Sequence, residues 1–389
     1  MRILHTSDWH VGKVLKGRDR YDEHEAVLRR IVQIAGEQQA DLVLVAGDLF
    51  ESSAPSAESQ GLVMRTLLAL REDGRDVVVI AGNHDNQALL DKVYRPALSQ
   101  LGLHVLGLPR RPDSGGMLTL RTRSGETAKV AALPFVSKRY AVGAAEIVFG
   151  ELAEHALDYS RRVGEMVRLL TECFTGDSLN IVMAHATLLD AQSGGGERAA
   201  QTVLDYALPA RLFPPTAHYV ALGHLHRHQE VDGPCPIYYS GSPLAVDFGE
   251  EQNEPVVLSV TAQLGARADA KPIPVTGGRR LRTLRGTLGQ VIAEGEQIPE
   301  DYLRVVLAEP SRAGLGDLVR EKLPNALEVR LDDAYQAHRG DGEETGALAP
   351  QAGRSPLELF GDYLARENIE DPRLTAMFAD LLDEVTGAA

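Results

Sequence analysis

Carboxylates, imidazoles and one carboxamide recur at short spacings: Asp8-Trp9-His10, Gly47-Asp48, Gly82-Asn83-His84-Asp85 and Gly223-His224-Leu225-His226, with a lone His185 between the last two. Each follows an apolar, strand-like run, at residues 2–6, 41–46, 76–81, 179–184 and 218–222. Oxygen and imidazole donors of this kind suit divalent cations such as manganese or magnesium. Asp8 and His10 are two apart, so on extended chain they face the same side and both reach one ion. His224 and His226 share that spacing and can give one imidazole to each of two ions. Two ions about 3.5–4 Å apart need a bridging anion, and the short carboxylate of Asp48 is suited to this. Asn83 supplies an amide oxygen, and Gly82 beside it lets the backbone turn tightly. His84 follows Asn83 and should point elsewhere. It is assigned as a non-ligand acid, or as the group that stabilises the leaving oxygen. Asp85 is a candidate to orient it. The implied reaction is hydrolysis of a phosphoester by water activated between two ions. Each motif alone is weak; the series, each member at a strand end, carries the inference.

The elements that must position these residues follow from periodicity. Residues 1–110 alternate strand and helix. A helix over 21–38 carries Val27, Leu28, Ile31, Ile34 and Ala35 at helical spacing. A second helix over 56–70 lies between the runs at 41–46 and 77–81. This βαβαβ order predicts right-handed crossovers and a parallel sheet. Residues 117–120 and 130–133 read as short antiparallel strands, 144–174 and 202–208 as helical, and 228–231, 237–240 and 255–260 as strands of a second sheet. The expected fold is α/β, a two-sheet sandwich flanked by helices.

Residues 1–276 are expected to form this core. A small α+β capping domain over 277–336 rests on strand-like runs at 302–307 and 327–331 and a helical run at 315–322. The aperiodic Gly/Glu/Ala/Pro-rich segment 337–354 reads as a linker. Residues 355–389 read as a pair of helices. Ser355-Pro356-Leu357-Glu358 and Asp371-Pro372 mark their starts, and Leu374, Met377, Phe378, Leu381, Leu382 and Val385 form one stripe. Two amphipathic helices after a linker either fold back or dock on another protein.

At 389 residues, with 44% hydrophobic and 24% charged content, the composition is that of an ordinary globular protein. No apolar run approaches the ~20 residues of a membrane helix, and the start lacks the pattern of a signal peptide, so a cytoplasmic protein is expected. Two cysteines far apart argue for reduced thiols and against a cysteine-bound metal. A net charge of −15 weighs mildly against nucleic acid, although local basic groups and bound cations can dominate the field at a site. No Gly-x-x-x-x-Gly-Lys-Ser/Thr occurs; Gly12 and Gly17 have the glycine spacing, but Arg18 stands in place of the lysine.

The series Asp8-x-His10, Gly47-Asp48, Gly82-Asn83-His84-Asp85, His185 and Gly223-His224-x-His226 resembles the calcineurin-like metallophosphoesterase superfamily. The opening stretch 1–13, with Gly47-Asp48-Leu49-Phe50 and Tyr239-Ser240-Gly241-Ser242-Pro243, is similar to the nuclease subunits of bacterial ATPase–nuclease complexes. The resemblance covers the core to about residue 265; beyond it, layout matches more than sequence. It implies manganese-dependent DNA cleavage in repair, recombination and replication: exonuclease action at duplex ends and endonuclease action on hairpins. It implies a homodimer and an ATPase partner. It implies that Asp8, His10, Asp48 and His226 hold one ion, that Asp48, Asn83, His185 and His224 hold the other, and that His84 is catalytic. Where some relatives carry a histidine three residues after the bridging Asp, this chain has Glu51.

Two other classes compete: a phosphoesterase of small or protein phosphoesters, and a DNA-end scaffold with structural metals. The first predicts turnover of small diesters with no need for the tail; the intact ligand set and His84 argue against the second. Lys13, Lys16, Arg18 and Arg20 are balanced between DNA phosphate contacts and a solvated loop. For Arg279, Arg280, Arg282 and Arg285 an exposed strand is favoured. Trp9 is expected to pack behind the site.

Overall fold

The computed structural model describes residues 1–137, 159–197 and 207–336, with isolated positions between 357 and 378. Two six-stranded sheets carry the fold. The first is built from β1 (Arg2–Thr6), β4 (Leu42–Val45), β5 (Asp76–Ile80), β6 (Leu103–Leu106), β13 (Val256–Thr261) and β14 (Asp269–Pro274), in the order β14-β13-β1-β4-β5-β6. The second is built from β7 (Met117–Arg121), β8 (Thr127–Leu133), β9 (Leu179–His185), β10 (Tyr219–Gly223), β11 (Gln229–Val231) and β12 (Ile237–Tyr239), in the order β11-β12-β10-β9-β8-β7. Strands β1, β4, β5 and β6 pair in parallel, as the alternating strand–helix pattern requires. Strands β8, β9, β10 and β12 are likewise parallel, with antiparallel β7 and β11 at the edges. Between β1 and β4, β2 (Val14–Leu15) and β3 (Arg18–Asp19) form a small hairpin.

Strand alternation explains the layering. Leu42 and Leu44 of β4 face inward with Ile3, Val78 and Ile80, against Val130, Ile181, Met183 and Ala221 of the second sheet. Val43 and Val45 face outward onto Val27, Ile31 and Ile34 of α1 (Tyr21–Glu37) and Val63 and Leu67 of α2 (Ala57–Arg71). The outer face of the second sheet packs on Val163, Val167 and Leu170 of the helix Tyr159–Thr171. The structure is therefore the expected helix-flanked sandwich. A strand buried on both faces must be apolar throughout, as β4 is.

Residues beyond the sandwich build a third sheet, β15 (Leu281–Gly286), β16 (Tyr302–Leu307) and β17 (Ala326–Leu331), all parallel. The helices Leu288–Gly295 and Leu315–Lys322 connect them, and Leu284, Val291, Leu303, Val305 and Val319 form their core. Sequence reasoning found β16, β17 and the second helix, and the exposed strand favoured for the arginine cluster is β15; it did not find the first helix. Leu281 and Tyr302 pack with Leu15 and Phe248 to join this unit to the sandwich. Arg20 reinforces the join. It is 1% exposed, reaches Glu23 at 2.7 Å and lies over the Tyr302 ring. Of the first basic cluster, Lys13 pairs with Glu51 and Lys16 with Glu328, so with Arg20 three of its members have partners within the protein. Arg279, Arg282 and Arg285 pair with Glu300, Asp301 and Asp332.

The chain divides into two compact units, Met1–Asp332 and Asp333–Ala389. In the second, Asp333–Gln336 is helical, and so are the described positions between 357 and 378. Within it the Phe360 ring stacks on Phe378, with centroids 4.1 Å apart. The linker 337–354, residues 144–158 and 202–206 of the two helical readings, and most of the C-terminal pair lie outside the described residues; the end of the reading over 202–208 is not helical, since Leu208 forms a β-bridge with Leu188. No described helix is long and apolar enough to cross a membrane.

Candidate metal centre

The parallel strands of both sheets end at one edge of the sandwich, and the segments leaving them carry the polar residues. Asp8 and His10 follow β1, Asp48 follows β4, and Asn83 and His84 follow β5; His185 closes β9, and His224 and His226 follow β10. The loops are tied together: Asp8 N–H donates to Gly47 O at 2.9 Å and His10 N–H to Asp48 O at 3.1 Å. Asp8 (φ 53°), His10 (φ 48°), Asp48 (φ 50°) and His224 (φ 103°) all adopt positive φ. Such residues cost on the order of 1–3 kcal/mol each and persist where the surroundings over-determine them. Gly47, at φ +101°, is required twice over: a Cβ there would lie 2.2 Å from His185 Nδ1.

All eight residues singled out in the sequence meet here, each buried. Three groups have ligand atoms within 4.8 Å of one another: Asp8, His10 and His226; Asp48, His185 and His224; and His10, Asp48 and His84. Asn83 joins the second group, its Oδ1 lying 2.9 Å from His185 Nε2 and 2.8 Å from His224 Nδ1. Asp48 borders both sides, with Oδ2 3.8 Å from His10 Nε2 and 3.4 Å from His185 Nε2. Proximity alone would let His84 join a ligand set. At 7% exposure, however, it is the most accessible of the eight. Its Nδ1–H donates to Glu51 O at 2.8 Å, which leaves Nε2 for an incoming group.

The donor arrangement fits divalent ions. His185 Nδ1–H donates to Ala46 O at 2.8 Å, so in the neutral ring Nε2 bears a lone pair facing the Asn83 oxygen. His10 and His226 repeat the pattern. Their Nε2 atoms are 3.0 Å apart, while their Nδ1 atoms meet Glu51 at 3.1 Å and Glu250 at 2.7 Å. Lone pairs in contact call for a cation or a proton between them. Among the side chains alone, protons take that part. Burial opposes charge on His185 and His226, but Asp48 and Glu250 outweigh it and push the rings up to about 9 and about 10. Burial lowers His10 and His224 to about 3. Burial raises Asp8; it also opposes charge on Asp48, where the surrounding imidazoles, His185 foremost, win and hold the carboxylate well below its usual range.

Asp85 does not orient His84. Its carboxylate accepts the main-chain N–H groups of Leu49, Phe50 and Gly82, while the Glu51 carbonyl holds the histidine. Several supporting residues escaped the sequence reading. The sequence assigns no role to Glu51, and no spacing links Glu250 to the site. Ser7 donates to Asp8 Oδ2 at 2.6 Å and Ser242 to Asp8 O at 2.8 Å. Phe135 stacks on the His224 ring, with centroids 6.4 Å apart. Trp9 packs in the core behind the site, as expected, its Nε1–H on Thr6.

Residues 1–228 match the family model for calcineurin-like phosphoesterases. The chain is 35% identical to SbcD, the nuclease subunit of SbcCD, from Rhodobacter capsulatus, over 96% of this chain and 89% of that one. It is 31% identical to the SbcD nuclease of Escherichia coli K12, over 100% and 99%. The Bacillus subtilis counterpart is 34% identical, over 72% and 71%. The chain belongs to the calcineurin-like phosphoesterase family. Within it the chain falls among the SbcD nucleases. The matched span ends two residues past His226, so this phosphoesterase has its whole polar cluster inside the family region.

Proposed function

We propose that the chain is a two-metal DNA nuclease, the cutting component of an SbcCD-type complex that works with an SbcC-type ATPase in DNA repair and recombination. The reading rests above all on the convergence of Asp8, His10, Asp48, Asn83, His185, His224 and His226 on two adjoining donor sets. Near full-length similarity to proteins named as SbcCD nucleases supports it. Asp8, His10, Asp48 and His226 are proposed for one ion, and Asp48, Asn83, His185 and His224 for the other. Manganese is proposed because imidazole and oxygen donors occur without thiolate. When bound, the ions supply activated water and neutralise charge on the phosphate.

The chain's own residues do the rest. Asp48, bordering both sets, fixes their separation. The Glu51 carbonyl accepts the His84 Nδ1–H, and in the imidazolium form the Nε2–H is left to give a proton to the leaving oxygen. Exonuclease action on duplex ends and endonuclease action on hairpins are proposed, together with a homodimer. The C-terminal segment 355–389, whose sequence reads as a pair of amphipathic helices, is proposed as the ATPase docking element on the strength of its apolar stripe.

The test is incubation of a hairpin-ended duplex with manganese, with and without the ATPase. Hairpin opening and end degradation, faster with the ATPase and ATP, are expected. DNA left untouched while small diesters turn over rapidly would replace this reading with that of a small-substrate phosphoesterase.

A further inference from the structure

His226 is gripped from two sides by carboxylates that belong to neither proposed ligand set. Its Nδ1 lies 2.7 Å from Glu250 Oε1, and its main-chain N–H donates to Glu197 Oε1 at 2.9 Å. Glu250 is 1% exposed, and its other oxygen accepts Val246 N–H at 3.0 Å, so the carboxylate is fixed. Glu197 also accepts from Gly194 N–H at 2.6 Å, Gly195 N–H at 2.8 Å and Ser193 Oγ at 2.5 Å, closing a tight turn against His226. Asn253 Nδ2 donates to Gly194 O at 3.0 Å and ties the turn to the segment after Glu250. The close approach needs glycine: a Cβ on Gly196 would stand 1.6 Å from Glu250 Oε1. The stretch 194–197 is thus a fitted brace, which sequence alone could not distinguish from a flexible connection.

The other donor set is backed differently. His185 Nδ1–H meets a neutral carbonyl, Ala46 O, not a carboxylate. A carboxylate behind an imidazole fixes its tautomer and strengthens it as a ligand. We propose that Glu250 and the turn 193–197 are a positioning clamp for His226, which makes the ion of Asp8, His10 and His226 the more tightly held of the two. This rests on the two-ion reading above.

The experiment titrates the full chain with manganese alone, following free ion by its paramagnetic resonance signal, to obtain two dissociation constants. Glu250→Ala is expected to weaken the tighter constant about 10- to 100-fold and leave the other unchanged, and weakening of the looser constant alone would overturn the proposal. Gly196→Ala removes no polar group but drives its Cβ into Glu250, and it should move the same constant in the same direction. Glu250→Gln, which keeps one acceptor for Nδ1–H, should recover part of the loss. Melting in a chelator separates a general structural role, which would lower the melting temperature and weaken both constants together. That outcome, or unchanged constants in both alanine variants of a chain whose parent holds two ions, overturns the clamp. A parent chain that binds fewer than two ions overturns the two-ion reading, and the clamp with it.

Discussion

The main-chain N–H of Phe50 donates to Asp85 Oδ1 across 3.0 Å, bolting the segment that carries Asp48 to the one that carries Asn83 and His84. The second oxygen of Asp85 accepts Leu49 N–H at 3.3 Å and Gly82 N–H at 2.9 Å. Asp85→Ala orphans these buried donors, each worth about 1–3 kcal/mol. Urea unfolding should show a loss of at least that size, and the variant should retain less manganese after desalting. Unchanged stability would mean that the two loops hold their places without the bolt.

His84→Gln should keep both ions and lose about 10²- to 10⁴-fold in cleavage, the usual contribution of a positioned acid. Metal analysis of the purified variant decides between the roles that proximity leaves open. Loss of an ion would make His84 a ligand.

Acid sensitivity should reside partly in His5. Its ring sits between the sheets, with Nδ1 at Tyr219 Oη (2.9 Å) and Nε2 at Leu222 O (3.1 Å), and burial lowers its pKa to about 3. Between the ordinary histidine value near 6.5 and about 3, the unfolded chain binds a proton that the folded one refuses. Stability therefore rises with pH across this window and falls on acidification, by up to about 1.4 kcal/mol per pH unit for the one proton. His5→Gln should flatten that limb of a stability–pH curve. An unaltered slope would place the acid sensitivity elsewhere.

Removal of residues 355–389 should abolish co-purification with an SbcC-type ATPase while manganese-dependent cleavage by the remaining chain persists. Undiminished capture of the truncated chain would relocate the docking surface.

Much of this architecture was legible because the active edge is built locally. Each proposed ligand stands within four residues of a strand end, and strands buried on both faces, such as Leu42–Val45, announce themselves as unbroken apolar runs. What escaped depends on tertiary approach. Glu250 stands in an acidic stretch with no spacing to His226, and only folding brings its carboxylate to the ring. Arg20 read as one of four candidate phosphate contacts, yet the third sheet buries it against Tyr302. Strand β15 was legible only as an exposed strand of arginines, since only Leu281 and Leu284 are buried along it, and nothing in its sequence tied it to a third sheet. The helix after it carried a usable signal: Thr287 and Gln290 form a capping box.

The cluster draws Asp8, Asp48 and Asn83 from one sheet and His185, His224 and His226 from the other. Cations seated there would act as rivets through both layers, so the same ions that cut DNA would also fasten the enzyme. Heat resistance should climb with manganese concentration as RT ln(1 + [Mn]/Kd), and a cell starved of the metal would lose nuclease molecules as well as nuclease turnover.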